Sequence, residues 1–304
     1  MLKELLRPDV WSPEMDPYSI PLEKIDMANA DIFMYGDAIF PLFERLRNED
    51  PVHYCAESCV EDVGPYWSIT KYKDIMSVDT NHKVFSSEGA ITIFDPQEDF
   101  TTPMFIAMDP PKHDIQRKAV NPVVAPNNLA NMEDLIRERT ADVLDNLPVN
   151  KEFNWVEDVS IELTTRMLAT LFDFPFEDRM KLTRWSDVST ARPGDGIVET
   201  EEQRKEELFE CLQYFTKLWN ERVNSEPKTD LISMLAHNPS TRDMDPMEYL
   251  GNLILLIVGG NDTTRNSMTG GILVLNQNPD PVSYTHLRAH ETRGNIVCRL
   301  LLEK

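Results

Sequence analysis

The chain has 304 residues, 41% of them hydrophobic, enough to build a substantial core as one large domain or two ordinary ones. Its 52 acidic against 30 basic side chains leave a net charge of −22, which argues for solubility and against a nucleic-acid or anionic-membrane partner. No apolar run approaches the roughly 20 residues of a membrane span, no signal-peptide pattern opens the chain, and four scattered cysteines make no disulfide framework, so the expected location is cytoplasmic.

Residues 1–19 are proline-rich and mixed in charge and read as a surface arm. Pro41 to Asn48 has the spacing of a short amphipathic helix carrying Leu42, Phe43 and Leu46. Pro51 to Glu57 and Tyr66 to Thr70 alternate like two strands joined through Gly64 and Pro65, which predicts a β-hairpin; Tyr72 to Val78 is another short helix. Cys55 and Cys59 stand four apart, but a structural zinc site needs four donors and no second pair follows, so they read as small residues on one strand face. Between Phe85 and Phe105 a segment without clear period keeps Ile91, Ile93 and Phe94; a loop with such residues folds back over something apolar.

In Met108-Asp109-Pro110-Pro111-Lys112-His113-Asp114-Ile115-Gln116-Arg117, Asp109 is placed to cap a helix that Pro110 opens. His113 and Arg117 then lie one turn apart on the same face, two cationic donors that suit an anion; a solvated surface pair is the plainer alternative. Leu129 to Leu147 and Val156 to Phe172 show helical spacing, and Asp173-Phe174-Pro175 ends the second. Glu177 to Trp185 predicts a helix, Arg192 to Gly196 a turn, Glu199 to Asn224 a long acidic amphipathic helix, and Asp230 to Leu235 a short one.

The chain is organised around the stretch from Asp245 to Asn276. Asp245 is a natural N-cap and Pro246 a natural first helical residue, and Leu253 to Val258 is apolar on every side, as in a helix buried all round. Such a helix is roughly 45 Å long at 1.5 Å per residue. Into its middle fall Gly259, Gly260, Asn261, Asp262, Thr263 and Thr264. Each glycine costs a helix about 1 kcal/mol relative to alanine, and an acid among apolar neighbours needs a partner or neutralisation. One reading is a flat object packed on the glycines, with an acid and an alcohol beside it to handle protons. The other is a strand, a glycine turn, and a second helix capped by Asp262 or Thr263. A phosphate loop is disfavoured because no lysine follows the second glycine.

Gly259-Gly260-Asn261-Asp262-Thr263-Thr264 resembles the central-helix motif of the haem-thiolate monooxygenases, the cytochrome P450 family, and Asp-Pro-Pro-x-His-x-x-x-Arg at 109–117 resembles that family's propionate-gripping helix. The resemblance implies a mostly α (α+β) fold of that family, with a small β-hairpin region and a long central helix, over residues 1–280. It implies haem b as cofactor, bound by His113, Arg117, Gly259 and Gly260, with Asp262 relaying protons and Thr263 hydrogen-bonding oxygen during catalysis. The loop with Ile91, Ile93 and Phe94 would roof the substrate site. The two helices around 177–224 would form its lid, within which Trp185, Val188, Phe209 and Leu212 are further contact candidates. The wording from Gly259 to Gly271, with Gly-Ala-Ile-Thr-Ile at 89–93, most resembles the alkane hydroxylase branch, implying terminal hydroxylation of medium-chain alkanes or fatty acids, dioxygen as co-substrate, and a ferredoxin with its reductase as electron source.

After Asp280 the text changes. Residues 281–304 carry four Lys or Arg against two Glu, a charge of +2 against −24 for the rest, and resemble translated adapter DNA joined to a truncated frame. His286 and His290 lack a third metal ligand. The family's Phe-x-x-Gly-x-x-x-Cys loop and its Glu-x-x-Arg helix do not follow the central helix, and Cys298 has no glycine cradle, so the axial cysteine is expected to be absent and no metal ligand is assigned. Two rivals stay open: a helical terpene cyclase, whose magnesium motif begins like Asn261-Asp262, and a non-catalytic fragment.

Overall fold

Amphipathic spacing and a few buried polar anchors, rather than sheet pairing, organise the chain. The computed structural model describes residues 14–60, 63–89, 91–94, 100–194 and 196–278. Residues 281–304, and with them the reading of that stretch as foreign sequence, lie outside the described residues, as do residues 1–13 of the expected arm. The chain divides into two units, residues 1–121 with 235–253, and residues 122–234 with 254–304.

In the first unit, helix α1 (Phe40–Glu49) buries Leu42 and Leu46 against Ile20, Ile25, Ile32 and Ile39. The buried Arg45 reaches from this helix to the carbonyls of Pro17 and Ile20 and pairs with Glu49 at 3.1 Å, which ties the preceding segment to α1. The predicted hairpin forms: β1 (Val52–Cys55) runs antiparallel to β2 (Tyr66–Ile69), with Val52 opposite Ile69 and Cys55 opposite Tyr66. Buried Asp26 anchors it, accepting from Tyr66 Oη at 2.5 Å, Ser58 Oγ at 2.8 Å and the Cys59 amide at 2.7 Å. Burial opposes ionisation of Asp26, but these donors outweigh it and hold its carboxyl below the usual range. Cys59 therefore lies beyond the strand, in the loop that Asp26 gathers, and not on one strand face with Cys55. Helix α2 (Tyr72–Asp79) follows, and then α3 (Lys112–Val120).

The second unit begins with α4 (Pro126–Asn131) and α5 (Glu133–Asp145), one expected helix interrupted where the Met132 amide is shared between the carbonyls of Asn128 and Leu129. A π-helical turn (Val156–Ile161) leads into α6 (Glu162–Phe172), which ends as expected, with Asp173 in the left-handed region at φ 47°. The next helix, α7 (Met180–Thr190), starts later than predicted because Phe176–Asp178 forms a separate 3-10 turn. Its Trp185 stands edge-on to Phe174 at 6.2 Å, with Phe172, Tyr214 and Phe215 completing an aromatic core. Helix α8 (Glu201–Val223) is capped by Thr200, whose hydroxyl accepts the Gln203 amide at 3.1 Å while Gln203 reaches back to the Glu199 amide at 2.9 Å. Salt bridges Arg184–Glu207 (2.6 Å) and Lys181–Glu210 (2.7 Å) lace α7 to α8.

The short α9 (Leu231–His237) and the central helix α10 (Pro246–Gln277) complete a mostly helical fold with one small hairpin, the class expected from the sequence. No helix among the described residues is long and apolar enough to cross a membrane. At 32 residues α10 is about 48 Å long, with no break at its glycines. Leu253 and Ile257 are fully buried, whereas Ile254, Leu255, Leu256 and Val258 keep partial exposure, so the apolar run is not buried on every side as expected.

Two consequences are measurable. Gly259 has nothing within 4 Å of where a Cβ would stand, so Gly259→Ala gains helix propensity and raises stability by about 1 kcal/mol. At Gly260 a Cβ would meet Leu168 Cδ1 at 2.8 Å, so Gly260→Ala forfeits that gain or reverses it; urea midpoints of the two variants separate the positions. At Glu162, burial raises the carboxyl's pKa, but hydrogen bonds from Arg166 and Arg179 outweigh it and hold it below the usual 4.5. A depressed folded pKa gives stability that is present above the unfolded value and lost as pH falls through the folded one. Acid unfolding below about pH 4.5 should therefore have a shallower Glu162-dependent limb in Glu162→Gln, read from denaturation midpoints across pH.

Candidate functional site

The strand, turn and helix alternative for Leu253–Thr264 does not form: the whole stretch is helical. As expected, Asp245 caps the helix, accepting the Met247 amide at 2.8 Å. Tyr249, Leu250, Leu253, Ile257 and Asn261 make one buried stripe at helical spacing. A second strip, Gly259, Thr263 and Ser267, recurs every fourth residue and is exposed. Thr263 Oγ1 donates to the Gly259 carbonyl at 2.8 Å and Ser267 Oγ to that of Thr263 at 2.7 Å. This strip therefore presents a bare glycine beside hydroxyl oxygens that still accept hydrogen bonds.

Neighbouring motif residues go elsewhere. Gly260 faces Leu168 of α6 rather than the open strip, and its missing side chain permits close helix packing. Asn261, fully buried, accepts Thr164 Oγ1 at 2.9 Å, while its Nδ2 is buried without a partner. Asp262 accepts from Arg265, three residues on, and the same guanidinium bonds Asp187 of α7 at 3.1 Å. A partly exposed acid is thus held by a cation shared with a second acid.

In the first unit, α3 carries His113 and Arg117 one turn apart, as the spacing requires. Asp109 does not cap this helix, which starts at Lys112; its carboxylate instead takes Ser86 Oγ at 2.6 Å and the Ser87 amide at 2.9 Å. His113 Nδ1 lies 2.8 Å from the Phe105 carbonyl, and a carbonyl only accepts, so Nδ1 carries a proton. Nε2 is left for a ligand, to which it donates when the ring is an imidazolium. Arg117 is exposed. In the loop, Ile91 and Ile93 are 60% and 48% exposed, and Phe94 is half-buried. Of the four lid candidates, Trp185 and Val188 are core residues, Leu212 is half-buried, and Phe209 is exposed.

Sequence reasoning missed Asp187 and Arg265, whose pairing depends on two helices meeting. It also missed a buried chain of amides, in which Asn252 Oδ1 accepts the Phe105 amide at 2.9 Å and Asn252 Nδ2 donates to Gln116 Oε1 at 3.0 Å. The available signal was an asparagine inside an apolar run, which has to find partners once buried.

The distal features fit a haem. Gly259 leaves the open strip free of a side chain, Asp262 and Thr263 bring an acid and an alcohol to that stretch, and His113 and Arg117 are donor types that match two propionates. A thiolate ligand is another matter. Burial pushes the Cys211 thiol well up, and burial and the Asp26 charge raise that of Cys55, so neither is poised as a thiolate. Cys298 lies outside the described residues.

No protein-family model matches the chain. Relatives are nonetheless plain. Linalool 8-monooxygenase of Pseudomonas putida is 29% identical over 271 residues, covering 85% of this chain and 66% of its own length. Steroid C26-monooxygenase of Mycolicibacterium smegmatis is 28% identical, with 84% and 62% covered. Among solved structures, CYP153D17 from Sphingomonas sp. PAMC 26605 superposes with a TM-score of 0.71 at 47% identity, covering 81% of this chain and 62% of that one. Cytochrome P450-153 from Novosphingobium aromaticivorans gives 0.75 at 41% identity, with 87% and 66% covered. The chain thus spans less than two thirds of the length of these relatives. A terpene cyclase fold is set aside by the same findings, and the two motifs, the helical fold and these relatives agree: the chain belongs to the cytochrome P450 family, whose cofactor is haem.

Proposed function

We propose that these residues form the oxygen-handling portion of a cytoplasmic haem monooxygenase that hydroxylates an unactivated C–H bond of an apolar substrate. The observation that carries this is the exposed Gly259–Thr263 strip with Asp262 beside it on an unbroken central helix. Terminal hydroxylation of medium-chain alkanes or fatty acids is the favoured chemistry, supported by the wording of residues 259–271 and 89–93 and by 47% and 41% identity to two proteins of the 153 group. When bound, the haem activates dioxygen; substrate, dioxygen, two electrons and two protons give alcohol and water. A ferredoxin and its reductase supply the electrons, and the sulfur ligand would come from a cysteine loop of a fuller parent sequence, since these 304 residues hold no Phe-x-x-Gly-x-x-x-Cys pattern.

The chain's own residues then have defined tasks. Thr263 has a single hydroxyl proton, donated to the Gly259 carbonyl in the resting helix, and rotating it away offers that proton to a ligand on the open strip. Asp262 passes a proton from solvent on toward the open strip while Arg265 is turned to Asp187, and, a carboxylate again, returns to its ion pair afterwards. His113 and Arg117 hold the propionates, and Ile91, Ile93 and Phe94 cover the apolar substrate and exclude water. In the haem-loaded full-length enzyme, Asp262→Asn should slow turnover by about a hundredfold. Thr263→Ala should keep consuming reductant while product per reductant falls. Unchanged product per reductant in Thr263→Ala, together with unchanged turnover in Asp262→Asn, would remove the proton-handling role. A ferrous carbon-monoxide band lacking the family's red shift would remove thiolate ligation.

A further inference from the structure

Asn252 is an unusual residue for its place: it lies in the apolar part of α10 and is only 1% exposed, yet no side chain of the catalytic strip touches it. Its amide has one consistent orientation. The Phe105 amide can only donate, so Oδ1 faces it at 2.9 Å; Nδ2 then donates to Gln116 Oε1 at 3.0 Å. Gln116, also buried, passes its own Nε2 to Glu248, and Glu248 completes its pairing with Lys112 Nζ at 2.7 Å. An ionised carboxylate at one end and a backbone N–H at the other fix the polarity of the whole chain.

Two consequences meet at His113. The first turn of α3 is clamped on either side of it, at Lys112 and Gln116, to the same Glu248. The residue whose N–H is held by Asn252, Phe105, also supplies the carbonyl that accepts His113 Nδ1 at 2.8 Å, and its ring meets the imidazole edge-on at 6.2 Å. Gly251, next to Asn252, makes this possible. A Cβ there would press on the Pro103 carbonyl and come within 2.6 Å of that of Thr102, so only glycine lets the 102–105 segment lie against α10.

We propose that Asn252 is a positioning residue for His113: it fixes the backbone at Phe105, that carbonyl takes the Nδ1 proton and sets the ring's direction, and Nε2 is thereby aimed for a haem propionate, to which it donates as an imidazolium. This rests on the haem-binding reading above. Asn252 acts through the backbone of residue 105.

The test is a double-mutant cycle on the rate at which the haem-loaded full-length enzyme gives up haem to an apoprotein acceptor. His113→Phe should speed haem loss about tenfold, the loss of one charge-assisted hydrogen bond. Asn252→Ala should speed it comparably, and the double variant should be no faster than His113→Phe alone. In parallel, 15N-histidine spectra of the 304-residue chain should show Nδ1 protonated at His113 in the parent and a mixture of tautomers in Asn252→Ala, with helix content by circular dichroism unchanged. Rates that multiply in the double variant, or an unaltered His113 tautomer in Asn252→Ala, overturn the positioning role. If His113→Phe leaves haem loss unchanged while Asn252→Ala still alters the tautomer, the propionate reading falls and takes the aim of Nε2 with it.

Discussion

Close backbone approach along one helix is the constraint on which the remaining structure depends. Helix α10 lacks a side chain where the 102–105 segment crosses it, at Gly251, and again where Leu168 of α6 meets it, at Gly260. A glycine normally weakens a helix by about 1 kcal/mol; at Gly251 backbone carbonyls leave no room for a Cβ, whereas at Gly260 a Cβ would have to displace only the tip of Leu168. Gly259 has no such packing. It is a glycine whose cost nothing in the described residues repays, and this points to a surface kept clear for a ligand.

Buried polar groups then give the packed helix a single orientation. Asn252 and Asn261 stand on its buried side, and each finds a partner on another element, the Phe105 amide and Thr164. Rotating the helix would strand both amides, at about 1–3 kcal/mol for each unsatisfied group. The same rotation would move Thr263 off the exposed strip. Structural asparagines on one side and the acid–alcohol pair beyond them are therefore linked by helix geometry alone.

Charge is handled economically in a chain with 22 more acids than bases. Arg184 bonds Glu207 and the Ile197 carbonyl, so α7, the turn after it and α8 are tied together. Arg265 divides itself between Asp187 and Asp262, which leaves the acid of the motif held without being fully neutralised or fully buried. An acid in that condition keeps the option of exchanging its partner, whereas Asp26, enclosed by Tyr66, Ser58 and Cys59, is a structural anchor.

Much of this was legible in the amino-acid order. Helical spacing, Asp245 with Pro246 as a start signal, the alternating hairpin strands, and two short motifs determine element types and family and single out His113, Asp262 and Thr263 as candidates, because periodicity and capping are local properties of the chain. Only the tertiary structure decided that Asp109 serves Ser86 and Ser87 instead of α3, that Trp185 belongs to an aromatic core, that Gly260 turns from the open strip toward Leu168, and that Asn252, Gln116 and Glu248 form one chain ending near His113. Each of these depends on partners more than ten residues apart in sequence, and a hydrogen bond or a close contact is settled by where the second group arrives, which no local pattern specifies.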